Sequence, residues 1–168
     1  LKKRIFNKKL DGDVIFDLGC YTSSIRLMIA SLIENVDLSN FVIKDIKTKY
    51  LDKNLDVHSC AKINFDDKFT SKVTTSFIED IGNATFIECE NGKIQIENSW
   101  NPRSSKIKIL SNNERTLEFK DFSDLYHLEI KNISNDIISD KKEASFPGTK
   151  KIDILLNSKI INNWTNEL

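Results

Sequence analysis

The chain has 168 residues, with 25 Lys plus Arg against 25 Asp plus Glu and a formal net charge of zero at pH 7. That length suffices for one domain with its own core. The charge balance gives no electrostatic argument for nucleic acid or an anionic membrane as partner, and no apolar run approaches the roughly 18 residues of a membrane span.

The chain opens on Leu1-Lys2-Lys3-Arg4, without an initiating methionine or a signal peptide, as an excised part of a longer protein does. Residues 1–11 read as a polar lead-in. A long amphipathic helix is expected from about Val14 to Asn35, because Val14, Leu18, Tyr21, Ile25, Met28, Ile29 and Leu32 fall on one stripe at helical spacing. Gly19 interrupts this helix at a cost of about 1 kcal/mol relative to Ala. Asp17 and Tyr21 share a helix face. A glycine beside an acid and a phenol points to a surface that something approaches closely.

A run of short strands follows: 41–50, 57–65, 69–77, 84–89, 93–96, 106–110 and 115–119. Glu90-Asn91-Gly92 is a hairpin signal. Helices are then expected over 122–140 and 149–166, separated by Pro147-Gly148. In the first, Leu125, Leu128, Ile130, Ile133, Ile137 and Ile138 are the apolar set. In the second, Ile152, Leu155, Leu156, Ile160, Ile161 and Trp164 mark the buried side. One helix, seven strands and two helices make an α+β chain with an open, predominantly antiparallel sheet and helices packed on one face.

Cys20, Cys60 and Cys89 are odd in number and lack CxxC or Cys/His ligand spacing. Neither a disulfide framework nor a metal site is expected, and reduced thiols fit a cytoplasmic protein. His58 and His127 lack an acid arranged for a metal triad and read as structural histidines. The lysines are scattered along the sequence, and Lys141-Lys142-Glu143 reads as a solvated loop.

Several segments, in order, resemble the second domain of the glucose–fructose oxidoreductase, inositol dehydrogenase and dihydrodiol dehydrogenase family. Gly12-x-x-x-Phe16-Asp17-Leu18-Gly19-Cys20-Tyr21 resembles the family's glycine-rich helix start. Leu55-Asp56-Val57 through Phe65 resembles its Val-Asp-Asp strand. Gly82 to Ile96 resembles its hairpin, and Trp100-Asn101-Pro102 its Trp-x-Pro. The stretch from Leu125 onward is similar to its terminal helices.

The resemblance implies a single α+β domain over 1–168, belonging to an enzyme whose Rossmann domain precedes it. No GxGxxG or Glu-Lys-Pro occurs here, so that domain and its catalytic lysine are absent from this chain. The implied protein is an NAD(P)-dependent oxidoreductase acting on a sugar, cyclitol or related polyol. Its cofactor, NAD or NADP, is bound mainly by the missing domain, and the fragment alone is inactive. The implied partners are a sugar-like small molecule and a second copy of the chain, paired through the open sheet face; nucleic acid and membrane are not among them.

Residue by residue, the resemblance makes Tyr21 the acid/base facing the substrate carbinol. The missing lysine would be the cation that lets a phenol release its proton near neutral pH, far below the ordinary value of about 10. Asp17 orients the phenol or the substrate hydroxyls, and Gly19 admits the cofactor. Arg4 and Arg103 are weaker candidates for substrate contact. From the pattern alone, Tyr21 reads equally as a core tyrosine, Asp17 as a helix-starting acid and Gly19 as a packing glycine. The usual run of glycines is here Asp11-Gly12-Asp13. That departure motivates a second reading, a non-catalytic oligomerisation or scaffold module of the same fold.

Overall fold

A computed structural model describes residues 2–7, 10, 12–51, 54–100, 104–119, 126–145 and 148–166. The chain forms two compact units: Leu1–Ile81 with Thr149–Leu168, and Gly82–Gly148.

In the first unit, β1 (Phe41–Tyr50), β2 (Asp56–Phe65) and β3 (Phe69–Ser76) form an antiparallel meander in the order β1-β2-β3. The β2–β3 turn carries Asp66 and Asp67, both left-handed, a conformation aspartate tolerates better than most residues. Along β2, Ser59, Ala61, Ile63 and Phe65 are buried, while the residues between them face outward. A short helix α1 (Lys2–Ile5) opens the chain, and against the buried face lie a π-helical segment (Ile15–Gly19), α2 (Cys20–Ser31) and the last helix of the chain, Lys151–Asn166. Val14, Ile15, Leu27, Ile43, Ile63, Phe65, Val73, Ile160 and Trp164 belong to this core. Trp164 Nε1 donates to Ser59 Oγ at 3.0 Å, and Ser59 bonds Thr48 Oγ1 at 2.9 Å, so these three polar groups are satisfied across β1, β2 and the final helix.

The second unit holds β4 (Thr85–Cys89), β5 (Gly92–Ile96), β6 (Ser105–Leu110) and β7 (Arg115–Phe119) as a second antiparallel meander. Glu90-Asn91 is the hairpin loop, because Cys89 pairs with Gly92. A side chain at Gly92 would meet the Leu110 carbonyl at 2.4 Å, so only glycine lets β6 run alongside. Helix α3 (His127–Ile138) follows, and the last helix is therefore α4.

The α+β class with open antiparallel sheet structure stands. The seven strands divide into two ladders, and every paired neighbour is antiparallel. Two expectations about helix faces need correction. In α4, Leu156, Ile160, Ile161 and Trp164 are buried, but Ile152 and Leu155 face solvent. No described residue of α3 is buried: Leu128, Ile130, Ile133, Ile137 and Ile138 are all exposed. Leu125 lies outside the described residues.

The first helix departs from its predicted stripe for a definite reason. It ends at Ser31, four residues early, and begins as a π-helix. A π-turn bonds i to i+5 and holds one residue more than an α-turn. At 3.6 residues per turn, one extra residue rotates everything downstream by about 100°. The buried set becomes Gly19, Thr22, Ser23, Leu27 and Ala30. Tyr21, Met28 and Leu32, expected inside, are exposed. Thr22 and Ser23 tolerate burial because their hydroxyls donate to the carbonyls of Gly19 (3.0 Å) and Cys20 (3.3 Å). Ser23 also bonds Asn157 of α4, whose Nδ2 donates to the Cys20 carbonyl at 3.1 Å.

Candidate active site

The segment from Gly12 to Tyr21 is assembled from four parts of the first unit. Gly12 passes against the end of α1, where its N–H donates to the Asn7 carbonyl at 3.0 Å. A Cβ at Gly12 would stand 2.6 Å from the carbonyl oxygens of both Arg4 and Ile5. Glycine is thus required for α1 to fold back on the helix start. That fold brings Arg4 over the π segment, where its guanidinium donates to Asp17 Oδ1 at 2.6 Å. The pair is partly exposed, Arg4 more than Asp17.

Asp13 caps the segment. Its Oδ1 accepts from the backbone N–H of Ile15 at 3.1 Å and of Phe16 at 3.4 Å. Asp56, at the start of β2, places Oδ2 3.0 Å from the same Ile15 nitrogen. Both carboxyl groups are buried, at 2% and 3% exposure. Burial, with Asp13 as its closest charged neighbour, pushes the Asp56 carboxyl up to about 6. The open amides of a helix start commonly receive a phosphate. Here two internal acids accept from the Ile15 and Phe16 amides instead.

Tyr21 stands on the first turn of α2 with 61% of its surface exposed; its carbonyl accepts from Ser24 Oγ at 2.9 Å, and its phenol makes no hydrogen bond among the described residues. It is not a core tyrosine. Asp17, one turn earlier, is held by Arg4. The structure thus places three of the predicted residues, Arg4, Asp17 and Tyr21, at one end of the π segment and α2. Gly19 is buried, and a Cβ there would meet Trp164 Cζ3 at 3.2 Å and Ile161 Cδ1 at 3.5 Å. Packing of α4 is sufficient reason for a glycine at this point. Arg103 lies outside the described residues, as do Asp11 and Pro102. Sequence reasoning left Asp13 as an oddity and gave Asp56 no role; the only available signal was an acid two residues before the helix, where caps occur.

Other polar groups are accounted for elsewhere. Burial pushes the Cys20 thiol up, which disfavours a nucleophilic role, and all three cysteines are free. His58 Nδ1 lies 3.5 Å from Glu79, an ion-pair distance that makes no hydrogen bond. Among the described residues no group of three metal-ligating side chains occurs, and no helix is long and apolar enough to cross a membrane. In the second unit a cleft of about 410 Å³ is lined by Glu97, Asn98, Ser105, Lys106, Glu118 and Phe119, none of them a predicted site residue.

Several solved structures that share this fold are oxidoreductases. KijD10, a 3-ketoreductase from Actinomadura kijaniata in complex with NADP and TDP-benzene, superposes with a TM-score of 0.72 at 12% identity, covering 95% of this chain and 47% of that one. The aldose-aldose oxidoreductase from Caulobacter crescentus, complexed with glycerol, gives 0.73 at 11% identity, covering 96% and 47%. A tyrosine-to-phenylalanine variant of KijD10, with NADP and TDP-benzene, gives 0.71 at 12% identity over 95% and 47%. The chain therefore spans about half the length of the structures it matches, and it has the fold of that part of them. No protein-family model and no curated protein matches the sequence.

Proposed function

We propose that this chain is the substrate-binding and dimerising part of an NAD(P)-dependent oxidoreductase that interconverts an alcohol and a ketone on a sugar, cyclitol or related polyol. The observation that carries the reading is Tyr21. It is a phenol turned out to solvent by a π segment, one turn from a carboxylate fixed by Arg4, on a fold shared with oxidoreductases solved with NADP. The nicotinamide, held by a separate domain, supplies the hydride acceptor or donor. Tyr21 Oη moves the proton of the reacting hydroxyl. Asp17 accepts hydrogen bonds from neighbouring substrate hydroxyls, and Arg4 keeps that carboxylate in place. Gly19 serves the same face from beneath, by letting α4 seat closely under the helix. The scaffold reading loses its motive at Asp13, which has a structural task at the helix start.

The test uses the full-length protein with its cofactor-binding domain. Nicotinamide turnover is followed over a panel of sugars and cyclitols, with wild type compared with Tyr21→Phe. Loss of turnover with retained nicotinamide binding supports the reading. Equal turnover in both proteins removes Tyr21 from the chemistry, and absence of nicotinamide binding by fluorescence titration returns the scaffold module.

A further inference from the structure

The feature that the proposed chemistry leaves unused is the pair of buried carboxyl groups at the foot of the π segment. Asp13 Oδ1 and Asp56 Oδ2 both accept from a single donor, the Ile15 N–H, at 3.1 and 3.0 Å. Two acceptors of one N–H lie on the same side of one nitrogen and so face each other closely. Both residues are almost wholly shielded from water. Two like charges in such a place are held apart only at a cost that water does not screen, and one proton between them removes that cost. The residues are 43 positions apart and belong to different elements, so the proton links the helix start to the central strand of the sheet.

We propose that Asp13 and Asp56 are a positioning pair that closes the π segment onto β2 when they share one proton and loosens it when both are ionised. The segment carries Asp17, and its exit leads directly to Tyr21. Placement of both then follows pH. The direction of the effect agrees with the raised Asp56 carboxyl, at about 6.

Other charged and titratable groups lie on the elements packed around the segment. From α1, Arg4 engages Asp17 on the solvent side. Along the helix, the Cys20 thiol is pushed up by burial, away from neutrality. From β3 the buried polar neighbours are Ser71 and Thr75, and from α4 the packing groups are Ile161 and Trp164, none of which titrates here. On β2 the titratable side chains nearest the segment are Asp56 and, two residues on, His58, whose Nδ1 lies 3.5 Å from Glu79.

The pair stands on this chain's own geometry; only its consequence for Tyr21 rests on the oxidoreductase reading. The experiment therefore needs no turnover. Side-chain carboxyl NMR of the 168-residue chain is recorded from pH 4 to 8, with amide hydrogen exchange of Ile15, Phe16 and Asp17 corrected for intrinsic rates. Asp56 is expected to titrate near pH 6, and exchange at Ile15 and Phe16 to accelerate about ten-fold across that midpoint. In Asp13→Asn the Asp56 midpoint falls towards the ordinary carboxylate range and the exchange step disappears. If that variant does not fold, the wild-type curves decide alone. An Asp56 midpoint at an ordinary value near 4, or exchange that ignores the midpoint, overturns the proposal. A confirmed pair alongside an inactive full-length protein would leave it standing and count against the oxidoreductase reading alone.

Discussion

Tyr21 and Asp56 are opposite cases of a titratable side chain serving where its burial places it. Tyr21 has most of its surface in water, so its replacement by Phe should leave stability within about 0.5 kcal/mol of wild type. In the full-length protein the same change is expected to lower kcat by on the order of a hundred-fold or more, the usual contribution of a placed proton donor. Thermal denaturation and turnover measured on the same samples separate the two effects. Asp56 is shut away, and burial lifts its carboxyl from 3.8 to about 6. Between those values the folded chain binds the proton more tightly than the unfolded chain does. The stability from this group is therefore full below about pH 4 and is lost as pH rises to about 6. Asp56→Asn should lack that loss, gaining ~2 kcal/mol on wild type between pH 4 and pH 7 in urea titrations. The closeness of Asp17 and Tyr21 is readable from their spacing of four, whereas the exposure of Tyr21 is not. Nor is the partnership of Asp13 with Asp56, since nothing local brings together residues from a helix start and a strand.

At the scale of elements, the π segment decides more than its five residues suggest. Alternation of apolar and polar residues made the strands readable to within a residue or two, and β7 falls on its predicted limits. The same kind of reasoning put Tyr21, Met28 and Leu32 inside, because a 3.6 period assumes no extra residue in the first turn. The two glycines bracketing the segment differ in what they protect. At Gly12 an added methyl meets fixed backbone at 2.6 Å, so Gly12→Ala should cost about 3 kcal/mol. At Gly19 the nearest atom is 3.2 Å away on the Trp164 ring, and alanine restores about 1 kcal/mol of helix preference. Gly19→Ala should thus change stability by less than about 1 kcal/mol. Chemical denaturation of the two variants side by side checks the order.

For the whole molecule, a neutral total conceals a local excess. Lys44, Lys62 and Lys72 are direct cross-strand neighbours on the outer face of the first sheet, and Lys47 and Lys49 extend the row along β1. Asp45 pairs with Lys62 and Glu79 with Lys49. No scan of the linear sequence shows this patch, because strand register assembles it. If the homodimer forms through this face, two copies bring lysines against lysines. Sedimentation equilibrium should then show association strengthening as salt is raised from about 0.05 to 0.5 M, the reverse of an attraction between opposite charges.

The placement of Trp164 has a consequence for how the chain is made. Its buried indole sits, with Leu156, Ile160 and Ile161 of α4, in a core whose remaining members lie before residue 82, and the entire second unit, Gly82–Gly148, is synthesised between them. Until α4 leaves the ribosome, the sheet is covered only by the π segment and α2, and the part of the core that α4 completes stands open. Closing so long a loop is slow, and the exposed sheet is vulnerable to aggregation meanwhile. The second unit has no such debt, since its strands are all sequence neighbours. Nascent chains released at Gly148 should therefore show a protease-resistant second unit attached to a digestible first one, and resistance of both should arrive only with the last twenty residues.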